Sequence, residues 1–100
     1  MADSADFTDW QQVIDLLRQA TQAGKDDKLL TLLLTPDERE SLLGRVNIVN
    51  ELLKGELSQR QMSQLLGVGV ATITRGSNEL KHQSCETKQW LDQVLSQYRR

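Results

Sequence analysis

The chain has 100 residues, of which 38% are hydrophobic, and its formal net charge at pH 7 is −2. A domain of this length buries only a limited share of its surface and is marginally stable alone, and small domains often gain stability by sharing a hydrophobic core with a second copy. No apolar run approaches the ~20 residues of a membrane span and no secretory signal is evident, so we expect a cytoplasmic protein with no membrane partner.

The hydrophobic periodicity predicts an all-α fold. A single proline and the absence of alternating β-branched runs argue against a sheet. We expect residues 1–8 to form a flexible N-terminal tail and residues 9–100 to form one helical domain. Six helices are predicted, at about Asp9–Ala23, Asp27–Leu33, Pro36–Lys54, Gln59–Leu66, Val70–Lys81 and Cys85–Gln97.

The first two predicted helices differ in their apolar pattern. Trp10, Ile14 and Leu17 repeat at helical spacing and give the first helix one apolar face. We interpret Trp10, like Trp90 in the last helix, as a core or interface residue. The run 29–34 is apolar on nearly every side, so this short helix must be buried all round, which suggests a position between subunits.

The third predicted helix has the clearest start signal. Thr35 suits the N-cap, Pro36 suits the first helical position, and Glu38 lies where it can bond back to Thr35. Ser58 and Gln61 form a second such capping box at the start of the fourth helix. These signals fix where both helices begin.

Residues 58–81 have the anatomy of a helix-turn-helix unit. Two short helices are joined by the turn 67–69, which has a glycine at the position where the backbone needs a positive φ. Met62, Leu66, Val68 and Ile73 fall where the two helices must interlock. The second helix of such a unit enters the DNA major groove, and we call it the reading helix. A plain helical hairpin in a bundle is the alternative.

The side chains of this unit assign candidate DNA contacts. The reading helix begins with small and hydroxylated residues, which suit thymine methyls and water-bridged contacts better than arginine–guanine pairs. Arg60 and Lys81 suit phosphates, and three cations outnumber one acid between residues 57 and 82. The candidate DNA-binding set is Ser58, Gln59, Arg60, Gly69, Val70, Ala71, Thr72, Thr74 and Lys81.

Several motifs of this chain resemble those of tryptophan repressors. The segment 33–40, LLTPDERE, contains that family's LTPDERE signature, and 71–78, ATITRGSN, matches its reading helix. Weaker matches at 45–53, 55–60 and 89–91 make the resemblance nearly continuous from about Trp10 to Leu95. Tryptophan repressors are among the proteins from which the docking geometry above is known.

The resemblance implies a specific architecture and activity. The fold would be a six-helix helix-turn-helix protein that forms an intertwined homodimer. Loaded with L-tryptophan as corepressor, the dimer would bind double-stranded operator DNA of tryptophan biosynthesis genes, as a transcriptional repressor in the cytoplasm, associated with the nucleoid when DNA-bound. No other cofactor is implied.

An amino-acid ligand site also makes chemical sense. A guanidinium at Arg75 suits the carboxylate bidentately, and Arg45 can stack on an indole face, while Thr35 adds a hydroxyl. The resemblance implies the same roles for Arg75, Arg45 and Thr35. It further implies that backbone carbonyls of Leu32 and Leu34 from the other subunit accept from the ammonium group and that Val49 and Gly76 line the slot. Without the motifs, Arg45 and Arg75 would be interpreted as surface salt-bridge partners of Glu38 or Glu79.

Three positions depart from the family pattern. Glu79 stands where a serine is expected near the ammonium group, so its carboxylate either helps to bind that cation or faces solvent. Asn47 and Ser63 stand where basic residues are expected, which removes phosphate contacts. Glu79 is kept in the candidate ligand set.

Other classes of function are weighed against the repressor. No nucleophile–base set, phosphate-binding glycine loop or carboxylate pair predicts an enzyme, and one cysteine with one histidine predicts neither a metal site nor a disulfide framework. A helical dimerisation or adaptor module that binds protein alone is one alternative. A regulator of the same fold with a different ligand is the other.

Overall fold

Six helices form the regular structure of residues 5–99, which are the residues that a computed structural model of the chain describes. Residues 1–4 of the predicted tail and Arg100 lie outside the described residues. The helices are α1 (Trp10–Gln22), α2 (Asp26–Leu33), α3 (Pro36–Lys54), α4 (Gln59–Leu66), α5 (Val70–Lys81) and α6 (Cys85–Ser96). The predicted all-α order is confirmed, and α5 is the predicted reading helix.

Capping side chains explain why α1 and α4 begin where they do. The Asp9 carboxylate accepts a hydrogen bond from the Gln12 N–H at 2.9 Å, and the Gln12 side chain accepts from the Asp9 N–H at 3.1 Å. Ser58 and Gln61 form the same reciprocal pair at α4, with distances of 3.1 and 2.8 Å. Each cap satisfies backbone donors that the helix leaves free and contributes about 1 kcal/mol.

The chain divides into two compact units, one ending at Arg39 and the other beginning at Glu40. In the first unit α1 packs against α2, and in the second α4 packs against α5. The core of the second unit is formed by Ile48, Met62 and Ile73, each at most 2% exposed. Partly buried apolar side chains pack around it, from Leu52, Leu57, Leu66 and Val68. The predicted interlock of the two helices is confirmed, and Ile48 joins it to α3.

Several large apolar side chains are exposed on the single chain. Leu32 is 80% exposed, Trp10 73% and Trp90 60%. The expectation that the run 29–34 is buried all round is therefore not met within one chain, and neither tryptophan belongs to its core. Exposed apolar side chains in such number are typical of interfaces.

Candidate functional site

The turn between α4 and α5 is built on its two glycines. Gly67 ends α4 with φ +66°, and its N–H donates to the Ser63 carbonyl at 3.0 Å. Only glycine adopts this left-handed conformation without strain, so the predicted positive-φ glycine is confirmed. Gly69 is the N-cap of α5 and provides no side-chain cap.

The first turn of α5 is anchored on one side and accessible on the other. Ile73 is fully buried, and the N–H groups of Thr72 and Ile73 donate to the Gly69 carbonyl at 3.1 and 3.3 Å. Val70, Ala71 and Thr74 are exposed, and Thr72 is half-buried. The core therefore holds this turn in place while it leaves the predicted base-reading side chains accessible.

The predicted binding cations carry no ion pair with any carboxylate in residues 5–99. The ion pairs found there are Arg18–Asp15 at 3.6 Å, Lys54–Glu51 at 3.2 Å and Arg99–Asp92 at 2.7 Å. The alternative interpretation of Arg45 and Arg75, as salt-bridge partners of Glu38 or Glu79, is therefore not met in this part of the chain. The predicted cations, all exposed, are Arg45, Arg60, Arg75 and Lys81.

A close contact between α3 and α5 involves Gly76, one of the predicted ligand residues. A Cβ added at Gly76 would lie 3.1 Å from Cγ2 of Ile48, so the absence of a side chain lets the two helices approach. Arg45 lies about one turn before Ile48 on α3, Val49 follows it, and Arg75 directly precedes Gly76. Arg45, Val49 and Arg75 are therefore neighbours in sequence, within three positions, of the two residues that form this contact.

Arg45 and Val49 also line an apolar groove of about 200 Å³ between α3 and α6. Its other lining residues are Val46, Leu91 and Leu95, whereas Arg75 and Gly76 do not line it. Sequence reasoning missed the α6 side of this groove. The four-residue spacing of Leu91 and Leu95, which places them on one helix face, is the signal that could have found it.

The remaining predicted ligand residues belong to the first unit, apart from Glu79. Leu32 is exposed and Leu34 half-buried. The Thr35 hydroxyl oxygen accepts from the Glu38 N–H at 3.1 Å, and a Glu38 carboxylate oxygen accepts from the Thr35 N–H at 2.9 Å. Thr35, first through its backbone N–H and then through its side chain, holds the pKa of the exposed Glu38 carboxyl below its ordinary value. The capping box predicted here is confirmed, whereas the ligand roles stay predictions.

The three departures from the family pattern occupy different environments. Glu79 and Asn47 are exposed. Ser63 is half-buried, and its hydroxyl donates to the Val68 carbonyl at 2.6 Å. The sequence identified Ser63 only as a departure from an expected basic residue and did not predict this bond.

Three further findings concern the described part of the chain. Across residues 5–99, no group of three or more His, Cys, Asp or Glu side chains is placed to hold a metal ion. No helix of that segment has both the length and the apolar character needed to cross a membrane. Cys85 is exposed and forms no disulfide.

Comparison with known proteins gives matches over most of the chain. Residues 8–95 match the family model described as Trp repressor protein. A Trp operon repressor homolog of Photobacterium profundum is 70% identical over 93 residues, which cover 93% of this chain and 90% of that protein. Proteins of the same name from Vibrio cholerae and Aliivibrio fischeri are each 62% identical over 95% of this chain, covering 92% and 88% of their own lengths. The matched region extends from the residues before α1 into α6.

Proposed function

This chain belongs to the Trp repressor protein family, and on that basis we propose which of its residues bind DNA and which bind the ligand. It is a tryptophan-responsive transcriptional repressor and not an enzyme. In the proposal, a homodimer binds double-stranded operator DNA of tryptophan biosynthesis genes when its subunits hold L-tryptophan as corepressor. The protein acts in the bacterial cytoplasm and is associated with the nucleoid while DNA-bound.

The observation that carries the DNA-binding part is the anchored but accessible first turn of α5. Ile73 fixes this turn to the core, so Val70, Ala71, Thr72 and Thr74 meet base edges when α5 enters the major groove. Small side chains let the helix backbone approach the bases closely. Sequence preference then comes from thymine methyls and bridging waters.

The cations at the margins of the helix-turn-helix unit supply affinity for any duplex. Arg60 and Lys81 are exposed and carry no ion pair within residues 5–99, so they are free to meet phosphates there. Ser58, Gln59 and Gly69 add hydroxyl, amide and backbone donors. Such contacts release counterions, so binding weakens as salt rises.

The ligand part of the proposal rests on the α3–α5 contact. Arg75 pairs with the carboxylate of L-tryptophan and Arg45 stacks on the indole, because a guanidinium matches both groups. Val49 and Gly76 line the slot, and Glu79 accepts from the ammonium group. Leu32 and Leu34 of the other subunit offer backbone carbonyls to the same ammonium group, and Thr35 offers a hydroxyl to the ligand.

Ligand and DNA sites are coupled through α5. Arg75 and Gly76 lie on the same helix as Thr72 and Thr74, so a ligand wedged against α3 sets the angle of the reading helix. In a dimer this sets the spacing of two reading helices for successive major grooves. Coupling of this kind is typically worth about 1–3 kcal/mol per site, and two sites compound it.

The homodimer is proposed from the exposed apolar surface. Trp10, Leu32 and Trp90 are exposed on the single chain, and a second copy would cover such side chains on both subunits at once, as expected for a self-complementary interface. Sedimentation at micromolar concentration gives twice the chain mass if the proposal is right. A monomer at that concentration would contradict it.

Calorimetry with L-tryptophan tests the ligand site. We expect the unaltered chain to bind one L-tryptophan per chain and Arg75→Ala to lose about 30-fold or more in affinity, because truncation leaves the carboxylate unpaired. Arg18→Ala is the matched control, since Arg18 is an exposed arginine that pairs with Asp15 on α1 and is not in the proposed ligand set. Equal affinity of Arg75→Ala and Arg18→Ala would refute the assignment of Arg75.

A further inference from the structure

We propose that Ser63 is a positioning residue for DNA reading, because its hydroxyl fixes the turn that directs α5. The inference rests on the proposed function, since it concerns how the same helix meets DNA. It assigns a role to a position where a basic phosphate-binding residue was expected and an uncharged one is found. The role acts through geometry and not through charge.

The hydroxyl of Ser63 makes an unusual bond for a helical serine. It donates forward, out of α4, to the Val68 carbonyl at 2.6 Å. Two hydroxyls inside other helices bond back to a carbonyl of their own helix, from Thr21 to Leu17 at 2.9 Å and from Ser96 to Gln93 at 2.6 Å, which is the ordinary pattern. Ser63 therefore links a helix to the turn that follows it.

Ser63 holds the turn at two points. Its backbone carbonyl accepts from the Gly67 N–H at 3.0 Å, and its hydroxyl binds the next residue, Val68. The Val68 side chain packs against the core, so this residue is held both by its side chain and by its carbonyl. Among the hydrogen bonds of residues 5–99, no other side chain donates to the turn 67–69.

The turn needs such a restraint because glycines flank Val68. Glycine has more backbone freedom than any other residue, and Gly69 brings no side-chain cap to α5. The Val68 carbonyl lies in the same planar peptide unit as the Gly69 nitrogen. Fixing that carbonyl therefore fixes the peptide plane from which α5 starts, and with it the direction in which Thr72 and Thr74 are presented.

This arrangement predicts a selective defect when the hydroxyl is lost. A neutral hydroxyl that faces the turn adds nothing to phosphate attraction, so binding to arbitrary duplex DNA and its salt dependence stay unchanged. Sequence-specific contacts need the correct direction of α5, and these weaken. One net hydrogen bond corresponds to about a three- to tenfold change in affinity.

The test uses three variants of the full chain. Ser63→Ala removes the hydroxyl, Ser63→Thr keeps it, and Ser96→Ala removes a hydroxyl bonded within α6 as the matched control. The probes are a duplex selected by the unaltered chain from a random pool at saturating L-tryptophan, and the same duplex with its core scrambled. We expect Ser63→Ala to lose about three- to tenfold on the selected duplex and less than about twofold on the scrambled one, Ser63→Thr to recover most of the loss, and Ser96→Ala to match the unaltered chain.

Two results would overturn the role of Ser63. One is that Ser63→Ala binds both the selected and the scrambled duplex as tightly as the unaltered chain does. The other is an equal loss on both duplexes, which is what simple destabilisation produces. If the unaltered chain itself binds no duplex selectively, the proposed function fails instead. Amide hydrogen exchange then tests, without DNA, whether Ser63 restrains the turn. The N–H groups of Thr72 and Ile73 donate to the Gly69 carbonyl, so they should exchange faster in Ser63→Ala. Unchanged exchange rates would refute the restraint.

Discussion

Replacing Gly76 with alanine tests the contact that joins α5 to α3. The added Cβ would lie 3.1 Å from Cγ2 of Ile48, which is too close for ordinary contact. Ile48 is 2% exposed and packs in the core with Met62 and Ile73, so it has little space into which to move. The two helices must therefore separate by a few tenths of an ångström, or Ile48 must leave its preferred rotamer.

Two opposing contributions determine how much Gly76→Ala changes the free energy of unfolding. Alanine is favoured over glycine inside a helix by about 1 kcal/mol, whereas overpacking a well-filled core costs about 1–3 kcal/mol. Because Ile48 is enclosed, we expect overpacking to win and Gly76→Ala to lose up to about 2 kcal/mol of unfolding free energy. Gly44→Ala is the matched control, since Gly44 is also inside a helix and a Cβ there meets nothing within 4 Å.

Urea unfolding at one fixed protein concentration measures the difference between the two variants. A fixed concentration matters because association shifts apparent stability. We expect Gly44→Ala to be more stable than Gly76→Ala by about 1–3 kcal/mol with similar m-values. Equal stabilisation by both alanines would show that α5 has room at Gly76 and would refute the close-contact reasoning.

Further predictions concern the reading helix and the cap of α3. Thr72→Ala should change the order of preference among duplexes, whereas Lys81→Ala should weaken all duplexes alike and flatten the salt dependence by about one unit; the same sequence-independent effect from both would refute the division into base readers and phosphate anchors. The Glu38 pKa is lowered on folding, so its charged form stabilises the folded state above the ordinary pKa of glutamate, and that contribution is lost as pH falls through the lower folded pKa. The stability difference between the unaltered chain and Glu38→Gln, measured by urea unfolding across acidic pH, should therefore shrink at low pH, and a difference independent of pH would count against the cap.

Local chemistry explains why the elements could be predicted from the sequence. Caps at Thr35 and Ser58 bond only to residues three positions away, so their signals are complete in a short window. The left-handed glycine at Gly67 is likewise a requirement of a single residue. Every predicted helix bound consequently lies within one residue of the observed bound.

Other features depend on three-dimensional contacts that no short window contains. The Ser63–Val68 bond needs the actual path of the turn, so the sequence showed Ser63 only as a departure from an expected basic residue. The burial of Trp10 and of the run 29–34 was expected from apolar pattern, yet a pattern does not say whether the covering surface belongs to the same chain. The approach of α5 to Ile48 at Gly76 likewise joins residues 28 positions apart, which no sequence pattern indicates.

Titration of duplex DNA with the unaltered chain, in the presence and absence of L-tryptophan, measures the tryptophan response of DNA binding itself. The probe is the selected duplex described above, followed by fluorescence anisotropy at one salt concentration, with L-phenylalanine as the control amino acid. We expect saturating L-tryptophan to raise the affinity for this duplex at least about tenfold and L-phenylalanine to leave it unchanged. Equal binding with and without L-tryptophan would contradict the tryptophan response, and absence of binding in both conditions would leave a helical module that binds no DNA.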